Sequence, residues 1–278
     1  MRLVALCAVL LFLALPASAQ QAVRIPLPLE GNRTLMLPAQ LYLPAKTPAP
    51  AVTIFHGCGG PGVNNARMAQ LLQGWGYVAV VVDSFSPRGI KDACGRNWPT
   101  QQVAEERALD IPATSLWLNT QPFVKGSQIV VMGYSYGGGV ALLSGMNKVI
   151  EHKAQSARGY ILVYPDCALA DALGPQLRPR APMLFAMAEL DDWTPVTQCQ
   201  AVIDRVVRDR EEIETRVYPG AHHSFDALGL PIRYLAGVGN RSKPGGCCGA
   251  HYGAHEPAWR AFVEDVKDFL ARRLPLDR

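Results

Sequence analysis

The chain has 278 residues, of which 49% are apolar, and its formal net charge of +4 is spread along the sequence without a basic block. Such a chain can bury a substantial core and is long enough for one large domain. The dispersed charge excludes the concentrated basic surface that nucleic-acid binding requires.

The amino-terminal residues predict a secretory signal peptide. Arg2 precedes an apolar run at residues 3–15, and small residues follow up to Ala19. A positive charge, a short apolar run and an Ala-x-Ala ending are typical of a cleaved export signal, and the run is shorter than the roughly 20 residues of a membrane span. We therefore expect residues 1–19 to be removed, no stable membrane anchor, and a periplasmic or secreted domain at residues 20–278.

Hydrophobic patterns along the rest of the chain predict strands that alternate with helices. The predicted strands cover residues 22–29, 35–43, 51–55, 77–83, 129–132, 160–164, 183–187 and 214–218. The first two alternate loosely, as half-exposed antiparallel strands do, and most of the others are short apolar runs typical of a buried parallel sheet. The predicted helices cover residues 65–75, 101–118 with a kink at Pro112, 140–145, 194–207 and 256–274. This order predicts an α/β fold, an open and mostly parallel sheet with helices on both faces.

The sequence Gly-Tyr-Ser-Tyr-Gly at residues 133–137 lies between an apolar strand and a small-residue helix. This context is typical of a nucleophile elbow, a sharp turn that raises a serine hydroxyl above the edge of the sheet. Gly133 and Gly137 provide the small residues that such a turn needs on either side. We predict that Ser135 is a catalytic nucleophile; the alternative is a glycine-rich turn whose serine only caps the helix.

A serine nucleophile needs a base and an orienting acid, which in this fold class lie on loops after the carboxyl ends of strands. His223 follows the last predicted strand and is the predicted base, with His222 as the alternative. Asp191 follows another strand and is the predicted acid, with Asp166 as its rival. Asp192 lies closer to the next helix and is expected to cap it or to interact with its dipole. The resulting chain order of serine, aspartate and histidine is the one expected of an α/β hydrolase.

Two backbone amides are predicted to form an oxyanion hole, which stabilises the negative charge that acyl transfer places on the carbonyl oxygen. One is the amide of Tyr136, directly after the nucleophile. The other is the amide of Cys58, or alternatively of Gly57, in the glycine-rich loop after the strand at residues 51–55. A phosphate-binding role for this loop is not supported, because no Gly-Lys-Ser/Thr follows it.

Six cysteines remain after the predicted signal peptide, and an even number in an exported protein indicates disulfides. Chain order favours the pairs Cys58–Cys94 and Cys167–Cys199, and leaves Cys247 and Cys248 to pair with each other or to exchange partners.

The late segment Cys-Cys-Gly-Ala-His-Tyr-Gly-Ala-His at residues 247–255 also has the composition of a metal site. We expect disulfides there instead, because the compartment is oxidising. The predicted chemistry requires neither a metal nor another cofactor.

Five stretches carry a resemblance to a known family: Phe-His-Gly-Cys-Gly-Gly (55–60), Val-Asp-Ser-Phe-Ser-Pro-Arg-Gly (82–89) with Cys94, Gly-Tyr-Ser-Tyr-Gly-Gly (133–138), Leu-Asp-Asp-Trp-Thr-Pro (190–195) and Gly-Ala-His-His-Ser-Phe (220–225). In these stretches the chain resembles the dienelactone hydrolase family of α/β hydrolases. The resemblance implies Asp191 as the acid and His223 as the base. The namesake enzymes use a cysteine nucleophile, so Ser135 makes the chain more similar to a carboxylesterase branch.

The sequence therefore predicts an exported serine hydrolase that cleaves small-molecule carboxylic esters, with small or short acyl groups, through an acyl-enzyme. The loops at residues 84–99 and 227–255 are expected to form the walls of its pocket. The alternatives are a peptidase of the prolyl oligopeptidase type, for which the chain has no room for a gating domain, and a non-catalytic scaffold that binds a ligand or partner.

Overall fold

The computed structural model describes residues 20–95, 100–146 and 157–277, so the predicted signal peptide lies outside the described residues. The strands are β1 (Gln20–Leu29), β2 (Arg33–Tyr42), β3 (Ala49–Phe55), β4 (Val78–Val82), β5 (Val124–Tyr134), β6 (Gly159–Val163), β7 (Met183–Ala188), β8 (Ile213–Tyr218), β9 (Arg233–Leu235) and β10 (Ala250–Tyr252). The helices are α1 (Val63–Trp75), α2 (Thr100–Ala108), α3 (Asp110–Asn119), α4 (Tyr136–Gly145), α5 (Val196–Asp204) and α6 (Glu256–Arg273).

Eight strands form one sheet in the order β1-β2-β4-β3-β5-β6-β7-β8. β1 and β2 are antiparallel, as is the β2–β4 pair, and every other neighbouring pair is parallel. The predicted open, mostly parallel sheet is therefore confirmed. Because β5 lies between β3 and β6, the loops after these strands meet at the same edge of the sheet.

Helices cover both faces of this sheet, which explains why β3, β4, β6 and β7 are buried along their whole length. On one face α1 and α6 contribute apolar side chains such as Met68 and Phe262 to the core. On the other face the core includes Val103 of α2, Val140 of α4 and Val202 of α5. The sheet is packed between two apolar layers, and the loops at the carboxyl ends of its strands extend from this buried core.

Two elements differ from the sequence prediction. The single kinked helix expected at residues 101–118 is two helices, α2 and α3, which meet at Leu109. Pro112 does not cause a kink there, because it lies in the first turn of α3, where a backbone N–H has no partner within the helix. The loop expected at residues 227–255 contains the short antiparallel pair β9–β10.

Three disulfides are present in the structure. Cys58–Cys94 joins the loop after β3 to the loop after β4, and Cys167–Cys199 joins the segment after β6 to α5. These are the two pairs that chain order favoured. The adjacent cysteines Cys247 and Cys248 are bonded to each other. Across residues 20–95, 100–146 and 157–277, no helix is long and apolar enough to cross a bilayer.

Candidate active site

Ser135 occupies a sharp turn between the end of β5 and the first residue of α4. Its backbone angles, φ 53° and ψ −118°, are strained for a residue other than glycine. A Cβ atom at Gly133 would collide with the carbonyl oxygen of Gly137, and one at Gly137 would collide with backbone carbonyls of the β3 loop. The turn therefore requires glycine at both positions, as the motif predicted.

The structure brings together the three side chains that the sequence analysis proposed as a triad. The Nε2 atom of His223 lies 2.9 Å from the Oγ atom of Ser135, and its Nδ1 atom lies 2.7 Å from Oδ2 of Asp191. His223 and Asp191 are both buried. The three residues meet because β5, β7 and β8 are parallel, so the loops that follow them share one edge of the sheet.

The Asp191 carboxylate is held by the residues that directly follow it. Its Oδ1 atom accepts hydrogen bonds from the backbone N–H groups of Trp193, at 2.9 Å, and Thr194, at 2.8 Å. The Thr194 hydroxyl lies 3.0 Å from Oδ2 and 3.1 Å from the Nδ1 atom of His223. This turn fixes the carboxylate so that one oxygen faces the imidazole. Thr194 was not among the predicted site residues. The signal in the sequence is the aspartate itself, because an Asp side chain often accepts from the backbone two residues further on.

The alternative acids and base have other partners. Asp166 pairs with the guanidinium of Arg241. Asp192 accepts hydrogen bonds from the backbone N–H and the Nδ1 atom of His251, at 2.7 and 2.8 Å. The N-cap of α5 is Pro195, so the prediction that Asp192 caps this helix is wrong. The ring centroid of His222 lies 5.6 Å from that of His251.

The loop after β3 packs against the nucleophile. A Cβ atom at Gly57 would lie 3.4 Å from that of Ser135. The buried ring of His56 donates from Nδ1 to the Gly57 carbonyl, at 2.7 Å, and its Nε2 atom accepts from the Ser84 amide, at 3.2 Å. Burial, together with the positive charge of Arg107, lowers the pKa of His56 to about 3. His56 is therefore neutral at ordinary pH, and its role is to fix this loop.

A fully buried arginine, Arg107, lies beneath the same loop. Its Nη2 atom donates to the His56 carbonyl at 2.8 Å, and its guanidinium lies 4.7 Å from the ring centroid of Phe85 and 4.8 Å from that of Tyr136. Its Nε and Nη1 atoms have no hydrogen-bond acceptor among the described residues. Burial lowers its pKa to about 10, which still leaves it charged at neutral pH. Arg107 was not among the predicted site residues.

A buried acid, Asp226, lies behind the imidazole. Its Oδ1 atom accepts a hydrogen bond from the Tyr164 hydroxyl at 2.7 Å, and the Tyr164 ring centroid lies 4.6 Å from that of His223. Burial raises the pKa of Asp226 to about 6. This pair supports one side of the imidazole, and it too was missed in the sequence.

Ser135 borders two cavities, of about 170 and 470 Å³. Both are partly lined by residues from the loops at 84–95 and 227–255, where pocket walls were expected. In the late segment considered as a metal site, Cys247 and Cys248 form a disulfide and so are not thiolate ligands. Within the part of the chain that the structure describes, no group of three or more histidine, cysteine or acidic side chains could hold a metal ion.

A strained serine turn followed by a helix, at the carboxyl edge of a mostly parallel sheet covered on both faces, defines the class of α/β hydrolases. Comparison with known proteins then identifies the family. The model of the dienelactone hydrolase family matches residues 37–270, and the chain belongs to that family.

The similar proteins include relatives of known sequence and of known structure. A Mycobacterium tuberculosis protein with a provisional phosphoribosyl transferase name is 27% identical over 215 residues, which are 75% of this chain and 42% of that protein. The chain thus spans less than half the length of the curated relatives that it matches. Thermogutta terrifontis esterase 2, solved with propionate, is 17% identical with a TM-score of 0.61, covering 92% of this chain and 97% of that one. Dienelactone hydrolase from Anabaena variabilis is 15% identical with a TM-score of 0.60, covering 92% and 99%. At these identities the structures show a shared fold.

Proposed function

We propose that the chain is an exported serine hydrolase that cleaves carboxylic esters with small or short acyl groups. The observation that carries this proposal is the continuous contact from Asp191 through His223 to Ser135, with distances of 2.7 and 2.9 Å. Export is supported by the signal-like residues 1–19 and by the disulfides, which persist in oxidising compartments.

The contacts support an acyl-enzyme mechanism. His223 removes the proton from the Ser135 hydroxyl as Oγ attacks the ester carbonyl carbon, and Asp191 holds the imidazole through its Nδ1–H. When the tetrahedral intermediate collapses, the bond to the alcohol oxygen breaks and His223 returns the proton to that oxygen. Water then attacks the acyl-enzyme with the same base, and the acid is released from Ser135.

The amides of Tyr136 and Cys58 are proposed to stabilise the oxyanion. Tyr136 is the first residue of α4, where N–H groups point out of the helix end. The Gly57 carbonyl is held by the His56 ring, and in a trans peptide this turns the Cys58 N–H to the opposite side. Gly57 remains the alternative donor.

Short acyl groups are favoured by the small cavity beside Ser135 and by analogy. Thermogutta terrifontis esterase 2 has been solved with propionate and with butyrate bound, and phosphorylated by paraoxon. By this analogy we expect short-chain esters as substrates here and paraoxon as a covalent probe of Ser135. The serine nucleophile favours general esters over dienelactone.

The test is hydrolysis of p-nitrophenyl acetate and butyrate by residues 20–278. We expect Ser135→Ala to lower kcat by about 10⁴-fold or more without changing the circular dichroism spectrum. Ser86→Ala is the control, because Ser86 is an exposed residue at the start of a short 3₁₀ helix and borders neither cavity. Paraoxon should add one diethylphosphoryl group to the wild-type peptide that contains Ser135. Undiminished turnover by Ser135→Ala would refute the proposal, and a folded wild type without turnover would favour the scaffold alternative.

A further inference from the structure

The two cavities beside Ser135 differ in which catalytic groups border them. The larger one is bordered by His223 and by the β3 loop at Gly57 and Cys58. The smaller one is bordered by Tyr136, one of the two proposed oxyanion residues, and not by His223. Ser135, Cys58 and Trp193 border both, so an ester bound at Ser135 could extend one part into each cavity.

The chemistry of ester cleavage decides which part lies in which cavity. The proton that His223 takes from Ser135 must be returned to the oxygen of the leaving alcohol, so that alcohol has to lie on the His223 side. The carbonyl carbon carries the acyl substituent away from the leaving group. That substituent must then lie in the cavity that Tyr136 borders.

We propose that the larger cavity binds the alcohol part of the substrate and the smaller cavity the acyl part; this assignment rests on the proposed esterase function. The substrate class then follows from the lining of each cavity. The alcohol cavity contains the apolar side chains Leu228, Leu230 and Leu235 together with the ring of Tyr252. An apolar alcohol, including an aromatic one, fits this lining because its burial removes apolar surface from water.

The acyl cavity selects by polarity more than by size. A cavity of about 150 Å³ can hold benzene when its lining is apolar, and the acyl cavity has about 170 Å³. Its wall, however, includes the Asp166–Arg241 ion pair and Asn240. An aromatic ring placed against the partly exposed Asp166–Arg241 ion pair would remove water from its charges without offering a hydrogen bond in return. Small or polar acyl groups are therefore the ones that the site accepts.

A pair of isomeric esters tests this orientation. Benzyl acetate and methyl phenylacetate contain the same atoms and release alcohols of similar basicity, but they carry the ring on opposite sides of the ester. We expect kcat/KM for benzyl acetate to exceed that for methyl phenylacetate by at least about 10-fold, from burial of the ring on the alcohol side. Each value is divided by the rate of hydrolysis in hydroxide, which removes the difference in intrinsic reactivity.

A substitution in the alcohol cavity locates the ring. Leu235→Asn places a polar group of similar volume in that lining, and we expect it to lower the isomer ratio several-fold. Leu116→Asn is the control, because Leu116 is exposed on α3 and borders neither cavity. The melting temperature of each variant is measured so that a folding defect is recognised.

Each outcome decides the assignment. A ratio above about 10 that falls in L235N and persists in L116N supports it. A ratio near or below one, in an enzyme that hydrolyses p-nitrophenyl acetate through Ser135, overturns the orientation while the esterase function stands. A high ratio that L235N leaves unchanged places the ring elsewhere and also overturns it. Absence of Ser135-dependent hydrolysis of every ester overturns the esterase function itself.

Discussion

Arg107 is expected to act as a positioning residue for the loop that carries the proposed oxyanion donor Cys58. It donates to the His56 carbonyl, and its guanidinium contacts the rings of both Phe85 and Tyr136. The perturbation is Arg107→Met, which keeps a long side chain against the two rings but removes the charge and the hydrogen bond.

The expected change in the free energy of unfolding is small, because the contacts that Arg107 makes and the cost of burying its charge oppose each other. The charged hydrogen bond to His56 contributes about 1.5–3 kcal/mol, and each cation–π contact contributes about 0.5–2 kcal/mol. Against this, burial of the Arg107 cation costs several kcal/mol, and two of its nitrogen atoms have no acceptor in the described part of the chain. We therefore expect the free energy of unfolding to change by no more than about 2 kcal/mol.

The expected change in activity is larger and falls on kcat. Loss of one oxyanion donor lowers kcat by about 10²–10³-fold. In Arg107→Met the loop keeps three other anchors: the His56 ring on the Gly57 carbonyl, the Ala93 amide on the Cys58 carbonyl at 2.8 Å, and the disulfide to Cys94. A partial displacement should then lower kcat by about 10-fold with little change in KM.

The assay is hydrolysis of p-nitrophenyl acetate, with kcat expressed per active site titrated by paraoxon. This normalisation removes any loss of folded protein, which is all that a purely structural role would produce. Arg205→Met is the matched control, because Arg205 also donates to a backbone carbonyl, that of Ala170 at 2.8 Å, and borders neither cavity. Unchanged kcat per active site in Arg107→Met would refute the positioning role.

Two further predictions concern stability. Burial raises the pKa of Asp226 from 3.8 to about 6, so the folded state favours the neutral acid. The protonated acid therefore stabilises the fold below about pH 4, and this stabilisation of about 3 kcal/mol is lost as the pH rises through 6. Asp226→Asn should remove it, so urea unfolding should show the wild type losing stability relative to the variant between pH 4 and 7, and a constant difference would contradict the buried acid. For the disulfides, with separations of 32 and 36 residues, Cys167→Ala with Cys199→Ala and Cys58→Ala with Cys94→Ala should each cost about 4 kcal/mol. The second double variant should in addition lose esterase kcat because Cys58 lies in the loop beside Ser135, and equal kcat values in the two variants would argue against that placement.

Much of the fold could be predicted because its buried strands are short apolar runs. The strand expected at residues 77–83 is β4, Val78–Val82, and the one expected at 183–187 is β7, Met183–Ala188. The pair β9–β10 was missed because each strand has only three residues, too few to show an alternation. Its pairing depends on contacts between residues 15 to 19 positions apart, which a local pattern does not encode.

The residues proposed as a triad could be predicted for a topological reason. Each follows a strand, and the carboxyl ends of parallel strands share one edge, so chain order and residue type were sufficient to place Ser135, Asp191 and His223 together. The roles of Thr194 and Asp226 could not be assigned in this way. Their effect depends on which side chain of another loop they face, and that is set by tertiary packing alone.

Arg107 is a different case, because the sequence does contain a signal for it. In α2 the buried residues are Val103, Ala104, Arg107 and Ala108, whereas Glu105 and Glu106 are exposed. Helical spacing therefore places Arg107 on the apolar face of α2, because it lies three residues after Ala104 and four after Val103. A buried charge costs free energy unless it is paired or hydrogen-bonded, and the hydrogen bond that Arg107 makes is to the loop beside the nucleophile. A charged residue on the apolar stripe of a helix next to a catalytic motif is therefore a candidate for positioning the site, and helical spacing in the sequence is sufficient to recognise it.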